Sequence, residues 1–86
     1  MCDLEALNFA VRDELLKIFK EANTPQPVVK IANLQSAKIC GLANLAKILL
    51  YFEKEGYLSI LDREEDYKEW EFRIEPAILD LMFGYS

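Results

Sequence analysis

The segment from Gly41 to Leu58, G-L-A-N-L-A-K-I-L-L-Y-F-E-K-E-G-Y-L, constrains the fold more than any other part of the chain. Leu42, Leu45, Ile48, Leu49 and Phe52 recur at the three- and four-residue spacing of an α-helix with one buried face. Glu53, Lys54 and Glu55 occupy the last turn. Gly56 then stands at the position where a residue without Cβ ends a helix most easily. Tyr57-Leu58-Ser59-Ile60-Leu61 comes next, an apolar and partly β-branched run suited to a strand.

Upstream, the run from Leu4 to Ala22 contains neither Gly nor Pro, and Asp3 or Asn8 can cap it. Leu4, Leu7, Val11, Leu15, Ile18 and Ala22 share one stripe, and Phe9, Leu16 and Phe19 widen it beyond the face that a single surface helix needs. Two readings account for the surplus. In one, the first and last helices form a homodimer interface containing Leu4, Leu7, Phe9, Val11, Leu16, Phe19, Leu79, Met82 and Phe83. In the other, the C-terminal segment buries the first helix centrally.

Asn23-Thr24-Pro25-Gln26-Pro27 breaks the helix, because each proline removes a donor and restricts its neighbour. Val28 to Leu34 reads as a short second helix. Gln35-Ser36-Ala37-Lys38 reads as a turn, with Ser36 able to cap a further turn of helix. A continuous helix from Ser36 to Glu55 stays open, since Gly41 costs only ~1 kcal/mol relative to Ala inside a helix. Beyond the strand, Asp62-Arg63-Glu64-Glu65-Asp66 forms a polar tip. Trp70-Glu71-Phe72-Arg73-Ile74 alternates with the period of a half-buried strand. Glu75-Pro76 ends the hairpin, and Ala77 to Phe83 reads as a short apolar helix. The expected order is α-α-α-β-β-α, with room for a minor strand near Ile39. The fold class is α+β, mainly α, in one domain spanning residues 1–86.

The formal charge of −5 argues against coating of nucleic acid by electrostatics alone. Its distribution is uneven. Residues 1–21 sum to −2, residues 62–75 to −4, and residues 22–52 carry Lys30, Lys38 and Lys47 with no acid. The two cysteines, Cys2 and Cys40, lie far apart and there is no histidine. Zinc would need more ligands than these; a disulfide between the two stays open, and the expected state is two reduced thiols. Without histidine, a Ser or Cys nucleophile lacks its usual base, so no enzymatic activity is expected. The acids of the tip lack the glycine and bidentate glutamate of a calcium loop and read as a solvated turn. No metal and no cofactor is expected. No apolar run reaches the ~20 residues that span a bilayer, and the first residues lack the regions of a signal peptide. The expected location is cytoplasmic, without membrane association.

From about Val11 to Phe83 the chain resembles the winged helix-turn-helix superfamily, in the manner of small MarR- and PadR-like or archaeal and viral regulators. The residues that carry the resemblance are Asn44-Leu45-Ala46-Lys47, then Leu49, Phe52, Glu53, Gly56, Tyr57 and Leu58, and Arg73-Ile74-Glu75-Pro76-Ala77 after the wing. It departs from the pattern in three places. The linker into the third helix is about three residues longer than the family's turn. Leu50 and Tyr51 stand where polar or basic residues are common, and the wing tip is acidic.

The resemblance implies a sequence-specific binder of double-stranded DNA that regulates transcription, with helix 41–55 in the major groove, and the few phosphate contacts available per chain call for a dimer. Ala43, Asn44, Lys47 and Tyr51 would face the bases, and Lys30 and Lys38 the phosphates. The alternative is a winged-helix module for protein–protein contacts without DNA binding. Leu50, Tyr51 and the over-wide first helix favour that alternative.

Overall fold

The computed structural model describes residues 2–63 and 65–83, except the side chains of Met82 and Phe83. Helix α1 (Leu4–Glu21) begins at Asp3, whose Oδ1 accepts hydrogen bonds from the backbone N–H groups of Glu5 (3.0 Å) and Ala6 (3.2 Å). Of the two expected caps, the structure uses Asp3. The helix ends at the Asn23–Pro27 break.

The largest departure from the expected order lies just beyond that break. Val28 to Leu34 is not a helix: Val28–Lys30 is strand β1 and Ile31–Asn33 is a 3-10 turn. Pro27 removes a helical donor, and its carbonyl accepts from the Ile74 N–H at 2.9 Å. Two consecutive β-branched valines then suit a pleated surface better than a helical one. Helix α2 is instead the single turn Ala37–Cys40, the further turn of helix expected after Ser36, and no strand forms at Ile39.

Gly41 separates α2 from α3 (Leu42–Lys54) with φ 84° and ψ 166°, a conformation essentially reserved for glycine. The continuous helix from Ser36 to Glu55 is excluded, and the supposed long linker shrinks to this one residue.

The exit from α3 agrees closely with the expectation. The Gly56 N–H donates to the Glu53 carbonyl (3.0 Å) and the Tyr57 N–H to the Phe52 carbonyl (3.0 Å), with Gly56 at φ 88°. This is the Schellman arrangement. The Phe52 and Tyr57 rings complete it with an edge contact at 6.0 Å.

Strands β2 (Leu58–Asp62) and β3 (Glu71–Ile74) form the expected hairpin, with a bulge between Ile60 and Asp62. A 3-10 turn, Tyr67–Glu69, precedes β3. Strand β1 pairs with the other edge of β3, giving an antiparallel sheet ordered β1-β3-β2. The C-terminal segment is a 3-10 turn, Pro76–Leu79, continued by α4 (Asp80–Phe83).

One core joins the layers. Leu7, Val11 and Leu15 of α1 meet Leu45, Ile48, Leu49 and Phe52 of α3, and Phe72 and Ile74 of β3 close it from the sheet side. This revises the dimer expectation. Leu7 and Val11 are fully buried within their own chain, so neither can meet a partner. Leu16, Phe19 and Leu79 are half-buried, Leu4 and Phe9 are exposed, and the side chains of Met82 and Phe83 lie outside the described residues. The architecture is thus a small, mostly helical α+β fold with a three-stranded antiparallel sheet. Among the described residues, no helix is long and apolar enough to cross a membrane.

Candidate nucleic-acid interface

Helix α3 turns Leu45, Ile48, Leu49 and Phe52 inward, with Ala46 buried beside them. Helical periodicity therefore leaves Ala43, Lys47, Leu50, Tyr51 and Lys54 on the opposite side, and all five are exposed. Leu50 is 38% and Tyr51 51% accessible, so the face is a mixture of two lysines and large apolar groups.

Three features place α3 and α2 against α1. A disulfide joins Cys2, next to the α1 cap, to Cys40 at the end of α2, with Cα atoms 5.5 Å apart. This overturns the expectation of two reduced thiols. The residues lie 38 apart in sequence, and their Cα separation is the one usual for a disulfide.

The second feature is Glu14 of α1. Its carboxylate accepts from the backbone N–H groups of Gln35 (2.6 Å) and Ser36 (3.0 Å) and from the Ser36 hydroxyl (2.6 Å). An anion near the start of α2 answers donors that a helix leaves free. Ser36 does precede the helix, as expected, but its own hydroxyl is committed to Glu14 rather than to the backbone. The third feature is Gly41, whose positive φ ends α2 and starts α3 in a new direction.

Not all of the expected contact residues share one surface. Lys38, Ala43, Lys47 and Tyr51 are exposed on α2 and α3. Asn44 is half-buried, and its Nδ2 donates to the Cys40 carbonyl at 3.0 Å, so its amide is turned back along the elbow. A two-bond pairing with adenine requires it to turn outward again. Lys30 lies on β1, with its Nζ 3.6 Å from Glu69 of the hairpin. Lys54 belongs to the exposed face although it is absent from the contact set expected of the sequence. Its spacing of seven from Lys47 is the signal that could have placed it there.

The hairpin end has the opposite character. Asp62, Glu65, Asp66, Glu69 and Glu71 line one shallow recess. Glu53, at the end of α3, meets Arg63 in an ion pair and accepts the Ile60 N–H at 2.9 Å. On the sheet, Glu75 receives hydrogen bonds from Ser59 Oγ (2.8 Å), Arg73 Nη2 (2.9 Å) and Gln26 Nε2 (2.7 Å). The Ser59 hydroxyl first, and the Arg73 guanidinium next, hold its carboxyl below the ordinary carboxylate range.

Among the described residues no cluster of His, Cys, Asp and Glu has the arrangement of a metal site. Comparison with protein-family models, curated proteins and solved structures finds no match.

Proposed function

We propose that the chain is a winged helix-turn-helix protein that binds double-stranded DNA as a dimer and regulates transcription, with α3 in the major groove. Two architectural features support the fold assignment. Elements run α1-β1-α2-α3-β2-β3 with the sheet ordered β1-β3-β2, and one glycine joins α2 to α3.

One observation carries the DNA reading. Lys38, Lys47 and Lys54 project from α2 and α3, and no carboxylate lies between Ala22 and Phe52 on a chain of charge −5. A helix fits the major groove, and cations on its outer face answer the phosphates on either side. The acidic recess repels those phosphates, so the hairpin stays off the duplex and α3 alone reads it. With Lys38 and Lys47 as principal phosphate contacts in each of two chains, the logarithm of affinity falls with that of salt at a slope of roughly −4.

The reading is tested by retention of random duplexes at low salt, with and without Lys47→Glu. Binding that weakens by tenfold or more in the variant, with a shallower salt slope, supports it. Absence of binding at low salt, or binding indifferent to Lys47→Glu, removes it.

A protein–protein role is the second reading. It is favoured by exposed Leu50 and Tyr51, the latter on the rim of a recess also bordered by Phe9, Arg12, Tyr57 and Leu81.

A further inference from the structure

The face of α1 turned away from the core carries a pattern that is its own complement. Taken along the helix, it reads Glu5, Phe9, Arg12-Asp13, Leu16, Lys20. Each residue has a counterpart at equal distance from the point between residues 12 and 13: Glu5 with Lys20, Phe9 with Leu16, Arg12 with Asp13. The members of the outer two pairs differ in the way that complementarity requires, acid against base and aromatic against aliphatic. At 100° per residue the set points roughly opposite to the buried stripe of Leu7, Val11 and Leu15.

The geometry points to a second copy of this chain as the occupant of that face, docked α1 against α1 in antiparallel register with the two-fold axis between residues 12 and 13. A two-fold contact must be self-complementary, residue i meeting j while j meets i. This register puts Glu5 of each chain beside Lys20 of the other and Phe9 over Leu16, along a contact about 22 Å long.

The exposed chemistry agrees with that assignment. Phe9 is 47% accessible although it is a large aromatic. Asp13, Leu16, Lys17, Lys20 and Glu21 border an open recess, and Leu16, half-buried with part of its side chain against the core, is the apolar member of that border. Glu5 and Lys20 are exposed and join no ion pair among the described residues. At the axis, Arg12 Nε lies 3.7 Å from Asp13 and the guanidinium covers the Phe9 ring at 4.8 Å. The same two side chains can exchange partners across the two-fold without leaving a charge alone. An acidic chain that repels its own copies through net charge needs such local pairing to associate.

This specifies the two-chain state of the proposed function, but its test measures mass without DNA, so either can fail while the other stands. Sedimentation equilibrium of the full chain, with its disulfide intact, is compared for wild type, Glu5→Lys, Lys20→Glu and the double exchange. The expected wild type is a dimer at micromolar concentration. Each single reversal places like charges at two symmetry-related sites and weakens association roughly tenfold. The double exchange restores it to within about threefold of wild type. Glu5 lies in the first turn of α1 and Lys20 in the last, so each reversal also opposes the helix dipole in its own chain. The double exchange combines both penalties, and restored mass can then come only from across the interface. Phe9→Asp, at an exposed position, leaves circular dichroism unchanged and abolishes the dimer. A monomeric wild type overturns the proposal. A dimer indifferent to the single reversals, weakened further by the double exchange, or preserved in folded Phe9→Asp also overturns it.

Discussion

The α2–α3 elbow and the β2–β3 hairpin are both changes of chain direction at the surface, yet different chemistry holds each. The elbow is tied to α1 by a covalent bond and by a carboxylate that takes three hydrogen bonds from the start of α2. The hairpin is tied to α3 and to the residues before β1 through polar groups alone: Glu53 with Arg63, and Glu75 with Ser59, Arg73 and Gln26. Bonds of the first kind respond to redox conditions and to truncation. Those of the second respond to pH and salt. The elbow therefore keeps its covalent tie to α1 across pH and salt, as a helix presented to a rigid ligand needs, whereas the hairpin's anchoring is conditional on both.

The sharpest test of this contrast is removal of the covalent tie. Closing a loop over a separation of 38 residues restricts the unfolded chain by about 4 kcal/mol in the chain-entropy account. Reduction, or Cys2→Ser with Cys40→Ser, lowers the urea midpoint accordingly. Amide exchange should accelerate first across α2 and the start of α3, with the hairpin affected later. If the hairpin amides exchange first, the elbow is not the region that the disulfide holds.

Glu14→Ala comes next in size. It leaves the Ser36 hydroxyl, in a residue only 3% accessible, and two backbone N–H groups without their acceptor. The loss is about 2 kcal/mol by denaturant titration, and it does not depend on salt if the elbow is held as described. A salt-dependent loss would erase the distinction between the two regions.

The smallest effect concerns Glu75. Its folded-state pKa lies below the unfolded value, so the ionised group stabilises the fold above about pH 4.3. That contribution disappears as pH falls through the lower folded value. Glu75→Gln therefore costs little at the acidic extreme, costs more at neutral pH, and flattens the acid limb of stability against pH. Parallel limbs for wild type and variant would show that this cluster does not anchor the hairpin.

Much of the fold is legible in the sequence because it depends on local rules. The α3 stripe, the Gly56 exit and the alternation of Trp70, Phe72 and Ile74 are each contained in a few neighbouring residues. Strand β1 is not. Three residues cannot display a period, and Val28–Lys30 is extended because β3 lies beside it. Glu14 and the disulfide are hidden for the same reason, since each acts between segments more than 20 residues apart. On the candidate site, Lys38 and Lys47 lie on the surface as expected. Lys30 is outward as expected, but its contact with Glu69, like that of Asn44 with the Cys40 carbonyl, is one that only the fold creates.

The Glu53 side chain has one more consequence. Strand β2 lies at the edge of the sheet, and edge strands invite pairing with other chains because their outer N–H and C=O groups are unpaired. The outward N–H of Ile60, midway along this edge, already donates to Glu53. The bulge just beyond it interrupts the register that an incoming strand would need. At the opposite margin, β1 offers only three residues. A sheet closed in this way gives neighbouring molecules little to extend, so copies of the chain can be brought together at high concentration through helices without starting a fibril.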